Sequence, residues 1–240
     1  DDSVVTDADD AIQAHIVDRL SEAYPDHAIL AEETPRRGCD HGDPTSAGYV
    51  WVVDPLDGTR NYASGLSCFA TSIAVLEQGR PVIGVVYEPN LRHLYTAWRG
   101  GGASLNGRAI RVEEPPTSHD HLIGIPSSKD ELTVSLLRSW VATKGMVLRN
   151  LGATTLHLAM VASGALSAAY GKKSKIWDVA AGALLVSEAG GRLTDPFGAE
   201  LLPFALEADP DRDIPFLAGA PTMHSRLLQS LAGPLASPDA

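Results

Sequence analysis

The chain is poor in cysteine and in basic residues, and each shortage excludes a class of protein. Its two cysteines, Cys39 and Cys68, lie in unrelated contexts without metal-ligand spacing. We therefore expect free thiols in a reducing compartment, the cytoplasm, and no disulfide-stapled scaffold. Lys and Arg number 19 against 30 Asp and Glu, a net charge of −11. This balance argues against nucleic-acid binding as the main function, because such binding requires a concentrated basic surface.

Long apolar runs are also missing. No run approaches the roughly 20 residues that a membrane span needs, and no basic-then-apolar leader opens the chain, so we expect no membrane partner. What is present has an ordinary globular composition, with 44% hydrophobic and 20% charged residues. We predict a single domain over 1–240, and the acidic excess leaves metal cations as natural partners.

The first half, 1–115, begins with a helix and continues as strands. Apolar residues three or four apart predict a helix over 6–24, where Thr6 and Asp9 resemble a capping box. The composition of residues 34–48 is typical of a loop. Strands are predicted at 28–31, 49–53, 69–76, 82–87 and 93–97, the last three as an antiparallel meander. Pro55 is expected to break the strand that ends at Asp54.

The second half, 116–240, follows Pro115-Pro116 and alternates strands with helices. The predicted strands are 122–125, 147–150 and 216–218, and the predicted helices are 132–143, 153–162, 177–189 and 223–231. Sheets flanked by helices in this way indicate the α/β or α+β class.

The most informative segment is Asp54-Pro55-Leu56-Asp57-Gly58-Thr59, because an apolar strand brings two carboxylates to its carboxyl end. Gly58 permits a close backbone approach, and Thr59 can begin a helix whose free amides would face a phosphate. Carboxylates beside an anion site need cations between them, as in two-metal phosphate hydrolysis with a shared ligand, here Asp54. The alternative for this segment alone is an Asp-Gly turn that caps a helix.

Several separated motifs, in one order, resemble the inositol monophosphatase family of Mg²⁺-dependent, Li⁺-sensitive phosphomonoesterases. The motifs are Val5-Thr6-Asp7-Ala8-Asp9, Ala31-Glu32-Glu33-Thr34, Trp51 to Tyr62, Trp177-Asp178-Val179-Ala180-Ala181-Gly182 and Ser187-Glu188-Ala189-Gly190-Gly191. The resemblance covers nearly the whole chain. It implies a layered α/β/α/β/α sandwich of the type shared with fructose-1,6-bisphosphatase, and a homodimer. It also implies that further helices and a lysine near the site would precede Asp1.

The resemblance further implies a set of metal ligands. Glu32, Asp54 and the Leu56 carbonyl would bind one metal, and Asp54, Asp57 and Asp178 a second. Glu33 would be a further acid behind these ligands. The cofactor would be two or more Mg²⁺ ions, with Mn²⁺ as a substitute and Li⁺ as an inhibitor. Without the other motifs, Asp178 is equally well explained as a residue that caps a helix.

The catalytic group implied by the resemblance comprises Thr59, Asp54, Glu32 and a carboxylate that partners Thr59. Gly58 and Thr59 would supply amides to the phosphate, and the Thr59 hydroxyl would orient a metal-activated water that attacks phosphorus directly. Relatives commonly carry a carboxylate just before the Val-Thr pair. The strict counterpart here is Ser3, which leaves Asp2 as the candidate partner.

The substrate is expected to be a small phosphorylated metabolite, with inositol monophosphate as the leading candidate. Inositol-specific relatives carry a Glu seven residues before the Trp-Asp aspartate, whereas this chain has Gly171. Lys172, Lys173 and Lys175 follow and could bind a second anionic group, or could form a solvated basic loop. Histidinol phosphate, fructose 1,6-bisphosphate and 3′-phosphoadenosine 5′-phosphate are the alternative substrates.

Two other functions are alternatives to a metal-dependent phosphatase. A haloacid-dehalogenase type enzyme would use an aspartyl-phosphate intermediate, but its acids lie two residues apart, not three as Asp54 and Asp57 do. A non-catalytic sugar-phosphate-binding or regulatory protein is the rival of another class. Among the histidines, His119 and His121 are assigned to a polar linker and His157 to the packed core.

Overall fold

The computed structural model describes residues 5–33, 41–114, 120–127, 130–206, 209 and 211–235. Its larger sheet has seven strands in chain order. They are β1 Ala28–Ala31, β2 Tyr49–Asp57, β3 Ala70–Glu77, β4 Arg80–Glu88, β5 His93–Trp98, β6 Gly102–Leu105 and β7 Arg108–Ile110. β1 pairs in parallel with β2, and every later pair is antiparallel. The predicted meander is confirmed and extended by the β6–β7 hairpin.

The second sheet has the strand order β11-β12-β10-β8-β9. Its strands are β8 His121–Gly124, β9 Met146–Arg149, β10 Ala168–Gly171, β11 Arg192–Thr194 and β12 Phe216–Gly219. β8 lies between β9 and β10 and is parallel to both, whereas β12 is antiparallel to its neighbours. The carboxyl ends of β8, β9 and β10 therefore meet at one edge of this sheet.

Six helices pack on these sheets: α1 Asp7–Ala23, α2 Thr59–Ala63, α3 Glu131–Ala142, α4 Thr154–Ala162, α5 Ile176–Glu188 and α6 Pro221–Leu235. Among the described residues, no helix combines the length and the apolar composition that crossing a membrane requires. The sequence predicted five of the six, and it anticipated the start of α2 at Thr59.

The buried side chains form layers. One cluster joins α4 and α5 to both sheets, so these two helices form the central layer. Another joins α3 and α6 to the far face of the second sheet through Trp140 and Leu227. A third packs α1, through Ile16 and Leu20, on the outer face of the first sheet. The expected α/β/α/β/α sandwich is therefore confirmed.

The central layer lies close against the first sheet at Gly84 in β4. A Cβ atom added to Gly84 would lie 2.8 Å from the Ala181 carbonyl oxygen and 3.2 Å from its Cα. These are backbone atoms of α5, which cannot move aside alone. This contact sets the position of α5, the helix that carries Asp178.

We predict that Gly84→Ala lowers the free energy of unfolding by about 1–3 kcal/mol, the usual cost of overpacking a core. The matched control is Gly48→Ala, because a Cβ there meets nothing within 4 Å and the backbone needs no left-handed conformation. Gly48→Ala should be neutral or stabilise the fold by up to about 1 kcal/mol, since alanine restricts the unfolded chain. Urea unfolding measures both, and equal effects would contradict the close contact.

Candidate metal centre

The path of β2 determines where its two aspartates point. Side chains alternate across a regular strand, so residues three apart would face opposite sides of the sheet. The pairing with β3 shifts register between Asp54, opposite Ser72, and Asp57, opposite Ala70. Such an irregularity adds a residue to one strand and re-aims the side chains around it. The prediction that Pro55 ends the strand is therefore wrong: β2 continues to Asp57 through a bulge that tolerates a residue without an N–H.

Three carboxylates come together at this bulge. Asp54, Asp57 and Asp178 each offer an oxygen, and these oxygens all lie within 4.8 Å of one another. Asp54 is fully buried, while Asp57 and Asp178 are partly exposed, so the cluster has one side open to solvent. Asp178 stands in the first turn of α5, where one of its oxygens accepts a hydrogen bond of 2.6 Å from the Lys175 amide.

Asp57 is fixed by the start of α4. Both the amide and the hydroxyl of Thr155 donate to Asp57 Oδ2 at 2.6 Å. The amides of Gly58 and Thr154 also donate to this carboxylate. Burial nevertheless dominates and raises the pKa of Asp57 to about 6.

Glu32 extends the cluster from the neighbouring strand. It directly follows β1, and its amide donates to the Val53 carbonyl at 3.1 Å, which keeps it level with the end of β2. Burial, followed by repulsion from Asp178, raises the pKa of Glu32 to about 8. Burial and repulsion from Asp57 likewise raise the pKa of Asp178 to about 7.

Asp54 stands at the centre of this repulsion. Burial first, and then the charges of Glu32 and Asp57, raise the pKa of Asp54 well above its usual value. Its Oδ1 accepts a 3.0 Å hydrogen bond from the Leu56 amide. Its Oδ2 is buried and receives none from an N–H or hydroxyl group of the described residues. A proton shared with Glu32 or Asp178, or a bound cation, would satisfy that oxygen, and an oxygen-only ligand set fits Mg²⁺, Mn²⁺ or Ca²⁺.

The Thr59 hydroxyl lies beside the cluster and has two acceptors within reach. Asp9 Oδ1 is 3.0 Å away and the Leu56 carbonyl oxygen 2.9 Å away. Asp9 is completely buried, and its other oxygen caps α1 by accepting from the amide and hydroxyl of Thr6. The capping box is thus confirmed, whereas Asp2, the expected partner of Thr59, lies outside the described residues. The described carboxylate at Thr59 is Asp9.

Sequence reasoning missed Asp9 as a site residue because the capping box already explained it. A further signal was available, since Asp9 and Gln13 are four residues apart and share a helix face with the apolar Ile16. Both are buried. Gln13 Oε1 accepts from the Glu33 amide at 2.9 Å, which joins α1 to the end of β1. Burial and the charges of Asp9 and Asp10 raise the pKa of Glu33, so the acidic region extends behind the cluster.

The loop around Gly58 is held by close packing. Gly58 has a φ of +90°, and a Cβ there would lie 2.8 Å from the Cys68 carbonyl oxygen. Asn61, one turn on in α2, donates from Nδ2 to the carbonyl oxygens of Cys68 at 2.6 Å and Leu151 at 2.7 Å. These bonds join α2 to the segment that leads into α4.

A cleft of about 190 Å³ opens at the carboxyl ends of β8, β9 and β10. Lys172 and Lys173 line it, and Lys175 does not. Lys172 Nζ is 2.8 Å from Asp130, and Lys175 Nζ is 3.0 Å from Asp213. The structure therefore brings two of the three candidate lysines to the cleft.

The remaining histidine and cysteine predictions have mixed outcomes. His157 is a core residue as predicted: its Nε2 accepts from the Leu151 amide at 3.1 Å, and burial lowers its pKa to about 4. His121 was assigned to a linker, and this is wrong, because it is buried at the start of β8. Cys68 is a free thiol, whereas Cys39 and His119 lie outside the described residues.

Comparison with known proteins agrees with this geometry. A profile of the Inositol monophosphatase family matches residues 1–231. The "Nus factor SuhB" of Pseudomonas aeruginosa is 41% identical over 203 residues, 81% of this chain and 73% of that protein. "Inositol monophosphatase 2" of Solanum lycopersicum is 37% identical over 203 residues, 82% of this chain and 76% of that protein. The crystal structure of extragenic suppressor protein suhB from Bartonella henselae superposes with a TM-score of 0.84 at 34% identity, covering 95% of this chain and 84% of that one.

The raised pKa values predict how the metal-free protein responds to pH. Glu32 and Asp178 titrate near 8 and 7 in the folded protein and near 4 when unfolded. Between about pH 4 and pH 8 the folded state therefore binds more protons than the unfolded state. The contribution of Glu32 and Asp178 to stability is complete below about pH 4 and is lost as the pH rises towards 8. We expect the Tm of EDTA-treated protein to fall more from pH 5 to pH 8 than that of Asp54→Asn, which removes one of the mutually repelling carboxyl groups. Mg²⁺ should raise the Tm more at pH 8 than at pH 5. Parallel pH profiles for the two proteins would contradict this account.

Proposed function

The chain belongs to the inositol monophosphatase family, and from that premise we propose that it hydrolyses a small phosphate monoester with the help of Mg²⁺. The observation that carries the proposal is the buried Oδ2 of Asp54, which lacks an N–H or hydroxyl donor among the described residues and lies within a cluster of carboxylates. Such an arrangement is costly unless a cation neutralises it.

The proposed ligand sets divide this cluster between two ions. Glu32, Asp54 and the Leu56 carbonyl would hold one, and Asp54, Asp57 and Asp178 the other, with Mn²⁺ as a substitute and Li⁺ as an inhibitor. When bound, the cations supply Lewis-acid polarisation of the phosphoryl oxygens and lower the pKa of a water molecule.

The protein's own groups would position the reactants. The Thr59 hydroxyl donates to Asp9, so its lone pairs face away from Asp9 and can accept a hydrogen bond from the attacking water. The amides of Gly58 and Thr59 would hold the phosphate. The water oxygen forms the new P–O bond while the ester P–O bond breaks. The water loses a proton towards the Thr59–Asp9 pair, and the departing alcohol oxygen takes up a proton from a solvent water molecule. No aspartyl-phosphate forms on this route, so trapping one would contradict it.

A second candidate is a regulatory role without catalysis, favoured by the name of the Pseudomonas aeruginosa relative, a Nus factor. The complete carboxylate cluster and the Thr59–Asp9 pair favour catalysis, because a purely regulatory surface needs neither. A homodimer, a cytoplasmic location and the absence of a nucleic-acid partner stay predictions.

The direct test is phosphate release from inositol 1-phosphate, histidinol phosphate, fructose 1,6-bisphosphate, 3′-phosphoadenosine 5′-phosphate and p-nitrophenyl phosphate, with Mg²⁺ or with EDTA. We expect Mg²⁺-dependent turnover that falls more than about 100-fold in Asp54→Asn. Loss of groups that merely support metal ligands already costs 10- to 100-fold. Unchanged turnover in Asp54→Asn would contradict catalysis at this cluster, and no turnover in the parent protein would favour the regulatory role.

Thr59→Val separates water positioning from metal binding, because valine keeps the shape and removes the hydroxyl. We expect kcat to fall by about 10² to 10⁴, the usual contribution of a positioned acid–base group. The half-saturating Mg²⁺ concentration should change less than about twofold, since Thr59 is not a proposed ligand. Thr143→Val at the end of α3 is the matched control, where the lost hydroxyl bonds only to Ser139. A large change in Mg²⁺ affinity in Thr59→Val, with kcat preserved, would contradict the assigned role.

A further inference from the structure

The cleft beside the second sheet lies where its topology changes direction. The chain passes from β8 through α3 to β9, and returns through α4 to β10 on the other side of β8. α3 and α4 pack on opposite faces of this sheet. In such sheets the crevice at the carboxyl ends of the strands is where ligands bind.

The cleft adjoins the metal centre through α4. Thr154 lines the cleft, and its amide and that of Thr155 both donate to Asp57. A substrate with its phosphate at the carboxylate cluster would therefore place its alcohol half in the cleft. The volume of about 190 Å³ is below the 300–1,000 Å³ of typical ligand pockets, which favours a compact sugar or polyol over a nucleotide.

Among the described residues that line the cleft, every charged side chain is positive. Lys172 and Lys173 are its charged side chains, and His157 is neutral because burial lowers its pKa to about 4. An acidic side chain at Gly171 has no room, since a Cβ there would lie 2.3 Å from Phe216 Cε1. None of the described residues that line the cleft therefore offers a carboxylate that could accept hydrogen bonds from sugar hydroxyls.

The two lysines differ in how their charge is compensated. Lys172 is paired with Asp130, the residue that caps α3. Lys173 is exposed and has no ion-pair partner within the described part of the chain. An uncompensated ammonium group at the mouth of a cleft attracts an anion.

We propose that the alcohol half of the substrate carries a second anionic group, a phosphate or a carboxylate, and that Lys173 binds it. This proposal rests on the phosphatase function proposed above. Lys173 is then the residue that selects a doubly anionic substrate, and Lys172 shapes the cleft through Asp130.

The test compares substrates that differ only in the second group. Fructose 1,6-bisphosphate is paired with fructose 1-phosphate, and 3-phosphoglycerate with glycerol 3-phosphate, which separates a second phosphate from a carboxylate. For the preferred doubly anionic substrate, Lys173→Gln should raise KM about five- to tenfold with little change in kcat. The size of the expected rise in KM allows for the weakening of a hydrogen bond to a charged group by solvent screening. KM for its singly anionic partner should change less than about twofold.

The matched control is Lys144→Gln, an exposed lysine just beyond α3 that is not among the residues lining the cleft. Equal KM changes within both pairs, or none, would overturn the proposal while leaving the phosphatase function intact. If the parent protein hydrolyses none of these four compounds but does hydrolyse another phosphate monoester, the proposal is overturned and the phosphatase function stands; if it hydrolyses no phosphate monoester at all, the phosphatase function fails. Calorimetric titration of the same pairs into Thr59→Val protein with Mg²⁺ then still decides whether Lys173 favours the second anion.

Discussion

Mutual repulsion among carboxylates is the constraint on which the rest of this structure depends. Asp54, Asp57 and Asp178 converge within 4.8 Å, and Glu32 raises the pKa of Asp54 further. Protons or cations must offset that repulsion. The protein's amides and hydroxyls hold the carboxylates in position without neutralising them. Neutralisation is left to protons or to a bound cation, so the cluster is a candidate cation site.

Backbone geometry brings these charges together from distant parts of the chain. The bulge in β2 turns Asp54 and Asp57 to one side, and the parallel pairing of β1 with β2 sets Glu32 beside them. The central layer completes the set, because α5 presents Asp178 and the start of α4 holds Asp57. The close contact at Gly84 positions α5 against the first sheet, so core packing also determines the geometry of the site.

The sequence predicts much of this, and its failures have physical causes. The layered fold and most strands followed from periodicity and from the family resemblance. β10 was not predicted, because Ala168-Ala169-Tyr170-Gly171 contains no β-branched residue. Its strand conformation comes from pairing with β8 and β12. The structure gives Asp9 a second acceptor role, and sequence cannot show that one carboxylate caps a helix and also reaches a threonine fifty positions away. Nor can it show that two of the three neighbouring lysines, Lys172 and Lys175, form ion pairs.

The two hydrogen bonds from Asn61 also bear on dynamics. One reaches the carbonyl of Cys68, and the other joins the helix that begins at Thr59 to the carbonyl of Leu151, just before the helix that holds Asp57. Any hinge motion that separated the two sheets at this edge would break a bond of 2.7 Å and disturb Thr59 in the same movement. Opening of the molecule at this edge is therefore coupled to displacement of Thr59.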